Sequence, residues 1–235
     1  MKTIATTQVG STHQKHNTPC QDAVKVYNSE NFTIIALSDG TGSKSFALES
    51  AELVTTETIN YFRDFLPIRS IEAFESSLFV DYIQHCFYSR GYTTENAGAT
   101  LIFAVIVGNQ YLIGHIGDGV AIIENSGEFS VVSYPENGEY INETFFFPSE
   151  NPHQHFRTTC GILDDNSAIL LTSDGISDCL YDHNSGEIAN VVRLIISWAR
   201  DYSTDKCIDV LQNNFRNIFS EYSGDDKSVA IACTE

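Results

Sequence analysis

The chain of 235 residues is 42% hydrophobic and 19% charged, a composition that is typical of a globular protein and argues against a disordered one. Its 31 acidic side chains outnumber 13 basic ones, and the resulting formal net charge of −18 opposes binding to a nucleic-acid backbone. The length fits one domain, and we expect residues 1–235 to form a single one.

The sequence shows no targeting signal and no cysteine motif for metal binding. The stretch 1–15 lacks the apolar core of a secretion signal, and the longest nearly apolar run, at 99–108, is far shorter than the roughly 20 residues of a membrane helix. The six cysteines form no Cys-x-x-Cys pair, which disfavours a zinc knuckle or a redox dithiol. We therefore expect a cytoplasmic protein with reduced thiols and no membrane contact.

The first half of the chain predicts strands, then helices, then strands again. Residues with high β propensity indicate three early strands, at 3–9, 22–28 and 32–38. Apolar residues at helical spacing predict helices at 45–66 and 70–90, with Ser70 as the N-cap of the second. Four β-rich runs separated by turn residues predict further strands, at 100–108, 110–117, 120–125 and 128–134.

The second half predicts two strands, two helices and a last strand. The strands lie at 155–161 and 168–173, the helices at 188–202 and 205–222, and the last strand at 227–234. The strands follow one another in hairpins and the helices are grouped between them. This order is typical of antiparallel sheets covered by helices, and not of alternating βαβ units.

Apolar strands end in an Asp-Gly pair at three places. FTIIALSDG and SAILLTSDG carry Asp39 and Asp174 after near-identical runs, and LIGHIGDG carries Asp118 after a third. Further acidic residues stand at the heads of predicted strands, namely Asp22, Asp225 and Asp226. An Asp-Gly pair alone is typical of a tight turn, and that interpretation stays open. If the strands belong to facing sheets, however, these carboxylates gather at one edge.

Gathered carboxylates point to a bound cation. They repel one another and raise one another's pKa, and a hard divalent cation removes this conflict. A site made only of oxygen ligands suits Mg²⁺ or Mn²⁺ better than zinc.

Two other motifs related to phosphate chemistry resemble parts of the sequence but do not match it. In SDGTG, Leu37 occupies the nucleophile position of haloacid-dehalogenase phosphatases, and in GTGSKS, Ser43 breaks the spacing of a P-loop.

Six motifs follow one another over almost the whole chain: PCQDAV, LSDGTGS, GATLIFAVIVGNQYLIGHIGDG, GEYINETFFF, LLTSDGISD and GDDKSVAIA. In these motifs and their order, the sequence resembles the PPM/PP2C family of metal-dependent protein phosphatases, in particular its bacterial branch. The resemblance implies an α+β fold, an α-β-β-α sandwich of two antiparallel sheets flanked by helices. It also implies a site for two metal ions at one edge of the sheets.

The resemblance assigns the core of this metal site residue by residue. Asp39 bridges two Mg²⁺ or Mn²⁺ ions, Gly40 offers its carbonyl oxygen, and Asp174 and Asp225 complete the set. Asp225 is preferred to Asp226 because the family ligand lies three positions before the Ser or Thr of the final strand.

Two more aspartates complete the implied metal set. Asp22 lies close to the core ions and orders metal-bound water, and Asp118, together with Asp174, holds a third ion. The catalytic set is accordingly expected to be Asp39, Asp174, Asp225 and Asp118.

The sequence departs from the family pattern where many relatives contact the substrate phosphate. Asn17 stands where an arginine is common, and His13, Lys15 and His16 are alternative phosphate contacts, of which His13 is the better placed. Thr41 stands where some relatives have a histidine that serves as an acid. A flap over the site is expected at 138–156, with its Phe-rich part used for packing.

The resemblance and the carboxylate pattern predict the same chemistry. Two metal ions activate a water that attacks phosphoserine or phosphothreonine in a protein substrate, with no covalent intermediate. A phosphorylated protein is the expected partner, with a cognate Ser/Thr kinase as a further one. Two alternatives stay open, namely an inactive phospho-binding regulator and a small-molecule phosphohydrolase.

Overall fold

The computed structural model describes residues 1–136, 144–182 and 185–234. Over these residues, ten strands form two five-stranded sheets whose paired neighbours are antiparallel. The first sheet has the spatial order β1 (Lys2–Gln8), β10 (Lys227–Cys233), β9 (Ala168–Thr172), β6 (Val120–Asn125) and β7 (Glu128–Ser133). The second has the order β2 (Asp22–Asn28), β3 (Phe32–Asp39), β4 (Leu101–Val107), β5 (Gln110–Ile116) and β8 (Arg157–Ile162).

Helices cover the outer faces of both sheets. Those of the described residues are α1 (Ser11–His16), α2 (Ala47–Phe65), α3 (Ser76–Ser89), α4 (Pro152–His155), α5 (Asp174–Leu180), α6 (Asn190–Asp201) and α7 (Thr204–Asn217). Helix α2 packs on the second sheet and carries α3 beside it, whereas α5, α6 and α7 pack on the first sheet. In the described part of the chain, every helix is too short or too polar to cross a membrane.

The apolar core lies in three layers. Phe62 and Phe103 belong to the layer between the second sheet and helices α2 and α3. Leu37 and Leu171 meet in the layer between the two sheets, and Phe215 lies in the layer between the first sheet and helices α6 and α7. The predicted α-β-β-α sandwich is thereby confirmed.

Strand β3 is apolar without interruption because both of its faces are buried. Side chains alternate between the two faces of a strand. Ile34 and Ala36 point towards the helices, while Ile35 and Leu37 point towards the other sheet, and all four are fully buried. The run stops where the strand reaches the edge of the sandwich, at Asp39, and this edge is where the acidic residues collect.

One predicted helix begins later than its periodicity indicates. The helix predicted from Ser70 begins at Ser76, after a separate 3₁₀ turn at Ile71–Ala73. The backbone at Phe74 is extended, and its ring stacks on that of Phe62 at 5.4 Å between centroids. Packing against α2 therefore interrupts a helix that local spacing alone would continue.

Three short helices, α1, α4 and α5, are not predicted by the sequence pattern. Helix α1 lies in a polar stretch between the first two predicted strands, and it ends before Asn17, whose φ is 54°. Helix α5 begins at Asp174 itself, directly after β9. All three are too short for an apolar period to be recognised, and α1 and α5 border the candidate site.

Candidate active site

Asp39 ends strand β3 and lies directly opposite Asp22 at the start of β2. The backbone of Asp39 is fixed from β4, because its N–H donates to Thr100 Oγ1 at 3.0 Å and its carbonyl oxygen accepts from the Thr100 N–H at 2.8 Å. The next residue must be glycine, since a Cβ at Gly40 would lie 2.3 Å from the carbonyl oxygen of Ala47. The Asp-Gly pair thus leads into α2 and does not close a hairpin.

The other acidic positions reach the same edge from the first sheet and its connections. Asp174 is the first residue of α5, after β9. Asp118 lies in the turn between β5 and β6, and Asp225 lies in the turn before β10. Since β9, β6 and β10 are neighbours in the first sheet, their connections meet above Asp39.

These residues line one cleft made of two adjoining cavities. A cavity of about 320 Å³ is lined by residues of both sheets, including His13, Gln21, Asp39, Gly40, Thr41, Thr100, Asp118, Asp174, Asp225 and Asp226. A cavity of about 480 Å³ shares Asp118, Asp174 and Asp225 and continues past Gly175 and Tyr222. Five of the six residues predicted to hold metal are therefore in contact with one space.

Asp22 is the sixth predicted residue, and it lies behind the cleft wall. Its side chain is buried, with 5% of the residue exposed, and it lines neither of these two cavities. Its Oδ2 accepts a hydrogen bond from Ser173 Oγ at 3.0 Å. The same Ser173 oxygen accepts from the backbone N–H of Ser228 at 3.1 Å. Asp22 thus joins the second sheet to the first beneath Asp39.

The carboxyl groups raise one another's pKa. Burial, together with the charges of Asp118, Asp22 and Asp225, raises the pKa of Asp174 to about 8. Burial also raises the pKa of Asp39 well above its ordinary value, with further contributions from Asp22, Asp174 and Asp118. The negative charges are therefore close enough to oppose each other's ionisation, as the sequence pattern predicts.

Asp22 and Asp39 oppose each other's ionisation across two neighbouring strands. Asp22 begins β2 directly opposite Asp39 at the end of β3. Burial raises the pKa of Asp22 to about 6, and the charge of Asp22 adds to the effect of burial in raising the pKa of Asp39. A cation beside this pair would relieve the repulsion between the two carboxylates.

The donor chemistry of the cleft fits a hard cation. Oδ1 of Asp174 is buried and accepts no hydrogen bond, and Oδ1 of Asp22 accepts none from an N–H or hydroxyl group. Carboxylate and carbonyl oxygens are the ligands that Mg²⁺ and Mn²⁺ prefer. Among the described residues, no three His, Cys, Asp or Glu side chains are arranged to hold an ion as they stand.

The neighbouring residues Asp225 and Asp226 have different environments. Asp226 is buried, and its carboxylate accepts from the Gly10 N–H at 2.7 Å, the Gln21 N–H at 2.6 Å and His13 Nδ1 at 2.9 Å. Asp225 is exposed and lines both cavities. The oxygens of Asp226 are used to hold the N-terminal segment, which supports Asp225 as the residue available to a ligand.

His13 is the member of the predicted phosphate contacts that reaches the cleft. It lines the 320 Å³ cavity beside Asp39 and Thr41. Asn17 lines a separate groove, and Lys15 and His16 are exposed residues of α1 that line neither cavity. No lysine or arginine of the described chain lines either cavity of the cleft.

Three supporting residues were missed by sequence reasoning. Ser173 holds Asp22 across the two sheets, and Thr100 fixes the backbone of Asp39. Lys227, whose residue is only 1% exposed, donates to the turn that carries Asp225. The repeated Ser-Asp-Gly was an available signal for Ser173. For Thr100 and Lys227, the available signal was weaker: each is a polar residue at the start of a predicted strand that is otherwise mostly apolar.

The predicted flap at 138–156 lies partly outside the described residues, which omit 137–143. Its described part returns to the body of the protein. Phe147 is fully buried and exchanges backbone hydrogen bonds with Ala99 at 2.8 and 2.9 Å. Before the omitted stretch, the Glu136 N–H donates to the carbonyl oxygen of Gly117 at 2.9 Å, next to Asp118. Both ends of the segment are therefore fixed beside the cleft.

Comparison with protein families gives one match over most of the chain. Residues 9–213 match the sequence profile described as protein phosphatase 2C. A comparison with curated protein sequences finds no match.

Solved structures of the same fold extend over the whole chain. The crystal structure of a serine/threonine phosphatase from Staphylococcus aureus matches with a TM-score of 0.72 and 18% identity, covering 100% of this chain and 96% of that one. A serine/threonine phosphatase from S. agalactiae matches with a TM-score of 0.69 and 16% identity, covering 100% and 99%. RsbX in complex with magnesium matches with a TM-score of 0.61 and 16% identity, covering 99% and 94%.

Proposed function

The chain belongs to the protein phosphatase 2C family, and on that premise we propose that it removes phosphate from phosphoserine and phosphothreonine in proteins with the help of Mg²⁺ or Mn²⁺. One observation carries the proposal: carboxylates from both sheets line a single cleft and raise one another's pKa. Such a cluster is what a divalent cation neutralises.

Each side chain has a distinct part in this proposal. Asp39, Asp174 and Asp225, with the Gly40 carbonyl oxygen, hold two ions, and Asp118 shares a third with Asp174. When bound, the ions would supply a water of lowered pKa and would neutralise negative charge on the phosphoryl and leaving-group oxygens. Asp22 stays behind Asp39, where its hydrogen bond from Ser173 keeps it in place.

We assign contact with the substrate phosphate to His13. Its Nδ1 is bonded to Asp226 at 2.9 Å, so Nε2 is the ring nitrogen left for a ligand. Asp226 is itself held by two backbone N–H groups and cannot turn away without losing them. A ring held in this way presents Nε2 to a phosphate oxygen, and a hydrogen bond to such a charged acceptor is stronger than one between neutral groups. His13 would then take the part that an arginine has in many relatives.

A phospho-binding regulator without turnover is the second candidate. It is favoured by one observation, namely that no lysine or arginine of the described chain lines the cleft. Without such a residue, the electrostatic stabilisation of the transition state rests on bound ions and His13 alone.

Phosphopeptide hydrolysis measured with and without metal separates the two candidates. We expect phosphate release from phosphoserine and phosphothreonine peptides in Mn²⁺ or Mg²⁺, and its loss after chelation. Binding of the peptides without phosphate release, across several metals and pH values, would favour the regulator. Hydrolysis of small phosphoesters but of no phosphopeptide would indicate a small-molecule phosphohydrolase.

A further inference from the structure

Lys227 is a buried lysine at the first position of β10. Its residue is 1% exposed, and its Nζ donates to two carbonyl oxygens, that of Ser223 at 2.9 Å and that of Asp225 at 2.8 Å. Both acceptors are neutral. A buried ammonium group is unfavourable unless its charge and its donors are compensated, so its presence here calls for a physical reason.

The acidic cleft provides part of that reason. Burial lowers the pKa of Lys227, whereas the nearby charges of Asp225, Asp226 and Asp22 raise it. The side chain also packs against the start of α5, because a Cβ at Gly175 would lie 3.5 Å from Cγ of Lys227. The ammonium group is therefore close enough to the carboxylates to feel their charge, although Lys227 lines neither cavity of the cleft.

The turn that Lys227 contacts has all three of its carbonyl oxygens bonded. Lys227 takes those of Ser223 and Asp225, and the N–H of Thr12 in α1 donates to that of Gly224 at 3.0 Å. Within the turn, Ser223 Oγ accepts from the Asp225 N–H and donates to Asp225 Oδ2, both at 3.1 Å. The backbone of the turn is thus held from two sides, while the Asp225 carboxylate is exposed in the cleft.

We propose that Lys227 is a positioning residue, which fixes the 223–225 turn so that the Asp225 carboxylate faces the metal site. This inference rests on the proposed function. The alternative role of Lys227 is electrostatic: its positive charge near the carboxylates would repel cations that approach the cleft. Removal of Lys227 weakens metal binding if it positions Asp225, and strengthens metal binding if it repels cations.

Lys227→Met tests the inference against Lys2→Met as a matched control. Lys2 also donates to two backbone carbonyl oxygens, those of Arg200 and Tyr202, at the far end of α6. The measurements are Mn²⁺ affinity by calorimetry, the melting temperature without metal, and phosphatase rate against Mn²⁺ concentration. We expect Lys227→Met to weaken Mn²⁺ binding at least about tenfold, which corresponds to 1.4 kcal/mol. Its rate should recover at saturating Mn²⁺, and Lys2→Met should bind Mn²⁺ like the wild type.

Unchanged or tighter Mn²⁺ binding by Lys227→Met would overturn the inference, as would a weakening that Lys2→Met shares. If Lys227→Met does not fold, Lys227→Gln is titrated instead, because its amide is shorter, uncharged and still a donor. An affinity equal to that of the wild type would then overturn the inference, and a loss of at least about threefold would support it. A wild type that binds no Mn²⁺ would refute the metal-dependent function and this inference together.

Discussion

Asp22 and Asp39 are direct partners across β2 and β3, and the charge of Asp22 raises the pKa of Asp39. Two side chains placed opposite each other on antiparallel strands have Cβ atoms about 5 Å apart. Both carboxylates cannot ionise there without strong repulsion, unless a cation lies next to them. This pair makes the effect of removing one charge predictable.

Asp39→Asn is expected to weaken Mn²⁺ binding and to lower turnover by more than the roughly 10- to 100-fold that outer-shell partners of metal ligands contribute. The amide keeps the size of the side chain but cannot bridge two cations. The metal-free melting temperature should rise, because one of two facing charges is gone. Calorimetry, thermal melting and phosphopeptide rates test this, with Asp64→Asn on the exposed face of α2 as control. If Asp39→Asn kept wild-type activity at low Mn²⁺, Asp39 would be a turn residue and not a metal ligand.

Mn²⁺ is expected to stabilise the fold. A cation that binds only the native state, at a free concentration 100 times its dissociation constant, adds about 2.7 kcal/mol to the free energy of unfolding. For a chain of this length, that corresponds to a rise in melting temperature of roughly 5 to 10 °C. Differential scanning calorimetry with Mn²⁺ and after chelation measures it. An unchanged melting curve in millimolar Mn²⁺ would argue against a cation in the carboxylate cleft.

A buried histidine makes stability depend on pH independently of the metal site. His115 is 1% exposed, and burial together with the Arg157 charge holds its pKa well below 6.5. Its Nδ1 faces Ser133 Oγ at 2.7 Å and Arg157 Nη2 at 3.2 Å. As the pH falls below about 6.5, the unfolded chain takes up a proton at this residue and the folded chain does not. His115 therefore lowers the stability by up to about 1.4 kcal/mol per pH unit in that range.

His115→Gln should remove this acid-sensitive component. The free energy of unfolding in urea, measured at pH 7 and pH 5 without metal, gives the pH dependence of each protein. The wild type should lose about 2 kcal/mol more than the variant between these two values. The raised carboxyl pKa values act in the opposite sense but are common to both proteins. Equal pH dependence would show that His115 is protonated in the folded state.

The carboxylate edge could be predicted from sequence because each aspartate follows or precedes an apolar run. Strand ends are marked by the change from apolar to polar residues, and antiparallel pairing brings such ends together. Asp39, Asp118, Asp174 and Asp225 follow this logic, and all four line the cleft. The long apolar runs likewise predicted the two-sheet core.

The supporting contacts could not be predicted in the same way. Ser173 reaches Asp22 across two sheets and 151 positions of sequence, and no local pattern encodes such a distance. Helix α1 is a six-residue element, whose position depends on Asp226 and on the turn before β10. The late start of α3 depends on the packing of Phe74 against Phe62. In each case a tertiary contact decides a local structure.

Asp118→Ala is expected to retain tight metal binding and the fold while losing turnover. The core set of Asp39, Asp174 and Asp225 remains to hold two ions, and Asp118 is assigned to the third. A loss of roughly 100-fold on phosphopeptides fits the contribution of proton transfer to a leaving group, and the loss should be smaller on p-nitrophenyl phosphate, whose leaving group needs little protonation. Calorimetry and rates on both substrates measure it. Equal losses, or collapse of tight binding, would place Asp118 in the core.

His13→Ala is expected to raise the KM for phosphopeptides while Mn²⁺ affinity stays near that of the wild type. A hydrogen bond to a charged group contributes about 1.5–3 kcal/mol, so the KM should rise roughly 10- to 100-fold, and inhibition by inorganic phosphate should weaken by a similar factor. His16→Ala is the matched control, because His16 lies on the same helix, is exposed and lines neither cavity of the cleft. An unchanged KM would remove His13 from the phosphate site. A loss of Mn²⁺ affinity would instead show that His13 acts through Asp226 on the turn that carries Asp225.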